Sequence, residues 1–87
     1  MNKYQELLAL TAEECGELVQ VCMKHLRKFE KKSEVDEKWQ SKLIEEAGDV
    51  YCMLELLVEH GLVTNKQLED RANVKREKLK VWSKLVD

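Results

Sequence analysis

The chain contains no proline and only three glycines, Gly16, Gly48 and Gly61, in 87 residues. Helix breakers are therefore almost absent, and β-branched residues do not alternate over any useful length, which excludes a sheet-based fold and predicts an all-α one. There is no surplus of positive charge. Fifteen basic side chains (Lys+Arg 15) stand against 17 acidic ones for a net charge of −2, whereas general nucleic-acid binding needs a clear basic excess. No apolar run exceeds the five residues Val50 to Leu54, far short of a bilayer span. Met1 to Glu6 lack the basic-then-apolar layout of a secretion signal. Cys15, Cys22 and Cys52 are odd in number, with no C-x-x-C, which argues against a disulfide framework and against a zinc site. The expectation is a cytoplasmic protein, with no membrane or nucleic-acid partner and with its cysteines packed in helices as small hydrophobes.

The hydrophobic content is 44%, too high for a disordered tail, and it falls into helical periods. Leu7, Leu8, Thr11, Cys15, Leu18, Cys22 and Leu26 recur at three- and four-residue steps and predict a first helix from Asn2 or Lys3 to about Phe29. Glu30 to Glu37 is charged and nearly free of apolar residues, an exposed connection with Ser33 or Asp36 as N-cap. A second helix is predicted from Glu37 to His60, with Trp39, Leu43, Val50, Leu54 and Leu57 as its apolar stripe and Gly61 as its stop. Thr64 followed by Gln67 reads as a capping box for a third helix running to about Val86, with Leu68, Ala72, Leu79, Trp82 and Val86 on one side. The architecture expected is an antiparallel helical hairpin plus a C-terminal helix, one domain over residues 1–87. Helix one is apolar over more than half its circumference, more than two neighbours can cover. Assembly into a four-helix-bundle-type homodimer or dimer of dimers is therefore expected.

One pattern is duplicated. Glu13-Glu14-Cys15-Gly16-Glu17-Leu18 recurs 32 residues later as Glu45-Glu46-Ala47-Gly48-Asp49-Val50, once on each of the first two helices. Residues three apart share a helix face, so Glu14 pairs with Glu17 and Glu46 with Asp49. Glu14 and Glu17 interleave with Leu10 and Val21, beside Leu7 and Leu18. Glu46 and Asp49 fall between Met53 and Leu56 on one side and Trp39 and Leu57 on the other. A single E-x-x-E is ordinary solvated helix chemistry, but here all four acids intrude on apolar faces. Four converging carboxylates repel one another and are costly to bury in ionised form, and a divalent cation resolves both problems. The donors are all oxygen and no E-x-x-H accompanies them, which favours Mg²⁺, with Mn²⁺ as substitute, over a di-iron site. Mg²⁺ accepts substrate phosphates into its shell, so phosphate chemistry is implied. A glycine at the same place in both motifs, at about 1 kcal/mol each relative to alanine, suggests that bulk is not tolerated there.

EECGEL followed by EEAGDV resembles the MazG-like all-α nucleoside triphosphate pyrophosphohydrolases, whose signature is E-E-x-x-E, a spacer, then E-x-x-D. Here 28 residues separate Glu17 from Glu46. VEHGLV and the ending KREKLKVW are most like the short, often phage-encoded members. The resemblance covers most of the chain apart from Glu30 to Lys38. It implies Mg²⁺-dependent cleavage of a nucleoside or deoxynucleoside triphosphate between the α- and β-phosphates, giving the monophosphate and pyrophosphate. By motif position, Glu14, Glu17, Glu46 and Asp49 match the metal ligands. The acid that takes the proton is open, with Glu13, the nearest carboxylate outside the ligand set, and Glu17 as candidates.

The nucleotide substrate also needs positive charge. Helix three carries Lys75, expected inside the Leu68-Ala72-Leu79 seam, with Arg71 and Lys78 flanking it; Asn73 and Lys75 roughly match an N-x-K pattern of relatives. Lys24 lies further along the carboxylate face from Glu17. These five are the expected substrate contacts. Trp39, Phe29, Tyr51 and Trp82 are available for base stacking, although core packing accounts for each, and His25 and His60 read as cap or surface residues. Two alternatives remain: phosphoribosyl-ATP pyrophosphohydrolase, with a similar fold and acidic pattern, and a non-catalytic helical interaction module whose acids are structural.

Overall fold

A computed structural model describes residues 1–86, and within it each helix begins where a short-range capping pair places it. The Gln5 N–H donates to Asn2 Oδ1 at 2.8 Å and the Asn2 N–H donates to Gln5 Oε1 at 3.1 Å, opening α1 (Lys3–Lys28). Asp36 Oδ1 accepts from the Trp39 N–H at 3.0 Å, which selects Asp36 over Ser33 as the start of α2 (Glu37–Glu59). Thr64 and Gln67 form the same reciprocal pair, at 3.1 and 3.0 Å, ahead of α3 (Asn65–Trp82). Gly61 stops α2 in the left-handed region at φ +78°, where a side chain would be strained.

Two boundaries differ from expectation. A 3₁₀ turn, Lys32–Glu34, interrupts the connection, and the Glu34 carboxylate fastens it by accepting the N–H groups of Glu30 and Lys31 at 3.0 and 2.8 Å. α3 ends at Trp82 rather than Val86. Ser83 turns extended, its N–H still reaching the Leu79 carbonyl at 2.8 Å and its hydroxyl taking the Leu85 N–H at 3.1 Å. A serine offering the backbone a local alternative to the helix is the physical cause.

The chain divides into two compact units, Met1–Leu56 and the residues from Leu57 onward. Asp87, the last residue of the domain expected over 1–87, lies outside the described residues. In the first unit α1 and α2 form an antiparallel hairpin: Glu14 and Glu17 meet Glu46 and Asp49 at its middle, and His25 meets Trp39 at its connected end. No described helix is long and apolar enough to cross a membrane, and no strand occurs among the described residues.

The inward face of α1 is not the expected one. Leu7 is buried, and Thr11, Glu14, Leu18, Val21 and His25 are half-buried, whereas Leu8, Cys15, Cys22 and Leu26 are exposed. These inward positions alternate four- and three-residue steps, the 3.5-residue period of helices packed along their length. Ranking residues by hydrophobicity alone passes over Glu14, and the stripe drawn through Leu8, Cys15, Cys22 and Leu26 drifts off the seam. α2 shows the same shift: Trp39, Glu46 and Val50 are half-buried and Met53 buried, while Leu43 and Leu54 stand at the edge. The Thr11 hydroxyl is satisfied within the helix, donating to the Leu7 carbonyl at 2.7 Å.

All three cysteines are free and exposed, contrary to their expected packing. The two motif glycines also depart from expectation, since a Cβ built at Gly16 or Gly48 meets nothing within 4 Å. The hairpin alone therefore does not demand glycine there. Gly48→Ala is expected to stabilise the isolated chain by about 1 kcal/mol, a rise of roughly 5 °C in melting temperature. A fall in melting temperature would show that another backbone approaches that face.

In the second unit, Leu57, Val58, Leu62, Val63, Leu68 and Leu79 are half-buried, while Ala72, expected in the seam, and Trp82, at 83% exposure, are open.

Candidate metal centre

The duplicated motif works through the hairpin's antiparallel register. Glu14 and Glu17 sit one turn apart on α1, as do Glu46 and Asp49 on α2, so an antiparallel pairing brings two acids from each helix together. One carboxylate oxygen from each of the four lies within 4.8 Å of all the others. Glu14, Glu17 and Glu46 are half-buried and Asp49 is exposed, so the cluster is shielded on three members and open to solvent at the fourth.

The electrostatics follow from that packing. Burial pushes the Glu14 carboxyl above its ordinary value, and the charges of Glu17, Asp49 and Glu13 push it the same way. Burial likewise raises Glu46, followed by hydrogen bonding to Glu17 and by the Glu17, Asp49 and Glu45 charges. Oε2 of Glu14 and Oε2 of Glu46 are shielded from solvent without a hydrogen-bond partner. Lone pairs in that position cost stability until a donor or cation reaches them. The residues therefore fit a divalent cation: four convergent hard oxygens, two of them unsatisfied, and an open side for further ligands.

A pH dependence follows. A carboxyl raised on folding holds its proton more tightly in the folded chain. The folded metal-free protein is thus favoured below the ordinary carboxylate range and loses that advantage as pH rises through the raised values. A cation competes with those protons. The rise in melting temperature on adding Mg²⁺ is expected to be largest near about pH 7.5 and to shrink toward about pH 5. Thermal melts with Mg²⁺ and with a chelator across that range check it; a Mg²⁺ effect that grows on acidification would contradict the assignment.

Glu13 is exposed and lies outside the four-oxygen cluster, adding only its charge beside Glu14. Lys24 lines a cleft of about 480 Å³ together with Glu17 and Glu46. Arg71, Asn73, Lys75 and Lys78 belong to the second unit and are all exposed. Lys75 is not tucked into a seam: it is exposed, and so is Ala72 one turn before it on the same face.

The hydrophobic period also missed residues that the fold places at the site. Lys38 and Lys42 line the cleft with Lys24. The available signal was charge order: Lys38, Lys42, Glu45 and Asp49 form one stripe on α2 at four- and three-residue steps. His25 is not a surface residue. Its Nδ1 lies 2.9 Å from the Val21 carbonyl, and its ring packs against Phe29 at 5.8 Å and Trp39 at 5.4 Å. Trp39 also takes the Lys28 ammonium 4.7 Å from its ring centroid, so this indole is held in an aromatic cluster.

Compared with family models, with curated proteins and with solved structures, the chain finds no match.

Proposed function

We propose that this chain is a metal-dependent nucleoside triphosphate pyrophosphohydrolase of the MazG-like kind, acting as a homo-oligomer. The convergence of Glu14, Glu17, Glu46 and Asp49 within 4.8 Å supports the reading, because the same four residues carry the sequence resemblance. The reaction is the nucleoside triphosphate plus water giving the nucleoside monophosphate, pyrophosphate and a proton, with the bond between the α-phosphorus and the bridging oxygen broken. Glu14, Glu17, Glu46 and Asp49 would hold Mg²⁺, or Mn²⁺ in its place. Bound there, the cation neutralises phosphate charge and acidifies water. Shielding of Glu14 Oε2 and Glu46 Oε2 from solvent would limit competing water at those two ligand oxygens, while exposed Asp49 would mark the side from which the nucleotide enters. Glu13 stands in solvent next to this cluster and is placed to carry the released proton away.

Assembly is supported by a second apolar stripe on each hairpin helix. Ala12, Cys15, Val19, Cys22 and Leu26 on α1, and Ile44, Ala47 and Tyr51 on α2, are all exposed. Leu7 and Met53 are the only buried hydrophobics among the described residues, at 6% and 7% exposure. A chain this small with two buried side chains needs further cover.

The test is a panel of ribo- and deoxyribonucleoside triphosphates with Mg²⁺, assayed separately for pyrophosphate and orthophosphate. Pyrophosphate as the first product is expected. Orthophosphate first, or no turnover of any triphosphate, would overturn the reading.

A further inference from the structure

One flank of the hairpin is apolar along its whole length. On α1 the residue after each seam position is exposed and apolar: Leu8, Ala12, Cys15, Val19, Cys22 and Leu26 lie about 100° further round the helix than the inward residues they follow. Ile44, Ala47 and Tyr51 form the matching stripe on α2. The two stripes share one side. A groove of about 280 Å³ is lined by Cys22 and Leu26 from α1 and by Leu43 from α2, whereas Lys24, Lys38 and Lys42 line the charged cleft on the other flank. The charges of the hairpin are divided by end rather than by side. Residues 24–42, the connected end, carry seven basic and four acidic side chains. Residues 1–23 and 43–56, the open end, carry eight acidic side chains against Lys3 alone.

We infer that a second copy of this chain covers the apolar face with its connection at the opposite end, α1 running antiparallel to the partner's α1 about a two-fold axis at residue 17. The inference rests on the assembly reading above and gives it an orientation and a register. Orientation follows from charge: with the connections at opposite ends, each basic end lies over an acidic one, whereas the reverse orientation stacks like charge on like. Register follows from the stripe. Positions 8, 12, 15, 19, 22 and 26 are symmetric about residue 17. An axis there sets Leu8 against the partner's Leu26, Ala12 against the partner's Cys22 and Cys15 against the partner's Val19, and no stripe residue is left over. Any other axis along α1 pairs fewer of the six. On α2, Ile44 and Tyr51 straddle Ala47, next to the level where Glu46 meets Glu17, so one axis serves both helices. The charged cleft of each chain stays on the outer side of the resulting four-helix layer pair.

The test is a disulfide across the two copies. The variant Ala12→Cys/Cys15→Ser/Cys52→Ser keeps Cys22 and places a second thiol at position 12. The substituted positions are all exposed, so folding is retained and is verified by circular dichroism. Ten residues of helix, about 15 Å, separate positions 12 and 22 within one chain, too far for a disulfide, so a link between them joins two chains. Diamide takes up the two thiol hydrogens as the bond forms, and non-reducing gels with peptide mass mapping read the product. The 10.2 kDa chain is expected to shift to a dimer band whose links join position 12 to Cys22, and the shift is expected to be lost when Cys22→Ser is added. Links of 12 to 12 or of 22 to 22 place the connections at the same end and would overturn the arrangement while keeping the assembly. An oligomer by light scattering that forms no 12-to-22 link would do the same. A chain that stays monomeric and forms no link removes arrangement and assembly together. Pyrophosphate release is scored separately on the reduced wild-type chain, so the enzyme reading stands or falls apart from this outcome.

Discussion

Glu17→Gln is expected to lower Mg²⁺-dependent pyrophosphate release by on the order of a hundredfold or more, while raising the melting temperature of the metal-free chain. Both effects come from one position. Glu17 heads the charges that raise Glu14 and is the hydrogen-bonding partner that raises Glu46. Replacing its carboxylate with an amide removes one negative charge from a crowded cluster and supplies N–H donors to oxygens such as Glu14 Oε2 and Glu46 Oε2 that have no partner. The folded state without metal therefore gains. The same change removes a hard anionic donor, so the cation is held less tightly and the Mg²⁺-induced rise in melting temperature should largely disappear. Opposed shifts in metal-free stability and activity are the signature of a binding site held under electrostatic repulsion. A structural acid would lose stability on substitution and leave the Mg²⁺ response alone. Melts with and without Mg²⁺, beside the pyrophosphate assay, distinguish the two. A Glu17→Gln chain that is less stable without metal and equally responsive to Mg²⁺ would remove the metal-centre assignment.

Val19→Asp combined with Ile44→Asp is expected to convert an oligomer into monomers, weakening association by on the order of a thousandfold. Val19 is 60% and Ile44 63% exposed in the single chain, so the substitutions create no cavity within the hairpin. Their effect must arise where a second copy covers the stripe formed with Cys15, Cys22, Leu26 and Tyr51. A charge moved from water into that contact would be left without a partner, which is far costlier than the lost apolar area. Light scattering coupled to size exclusion reads the result directly. Wild type should run as a dimer or tetramer of the 10.2 kDa chain and the variant as a monomer with a lower melting temperature. A monomeric wild type, or a variant that still assembles, would remove the assembly and its stripe together.

The α-helices, their starting residues and the four ligand candidates were legible in the chain because each depends on neighbours within one or two turns. Asn2 with Gln5 and Thr64 with Gln67 cap locally. Gly61 stops α2 through its own backbone freedom. Glu14 with Glu17 and Glu46 with Asp49 share faces by helical repeat alone. The inward side of α1 was a different matter. Cys15 and Cys22 compete with Glu14 and Val21 for the seam, and the choice depends on register against α2, where packing along the whole length imposes a 3.5-residue period and carries two carboxylates inward. The lysine cleft needed the fold for the same reason. Lys24 and Lys38 are separated by the entire connection, and only the antiparallel return of α2 brings them beside one another and next to the acids. Spacing within a helix is a property of the chain. Proximity between helices is a property of the packed hairpin, because register is set by many weak contacts acting together.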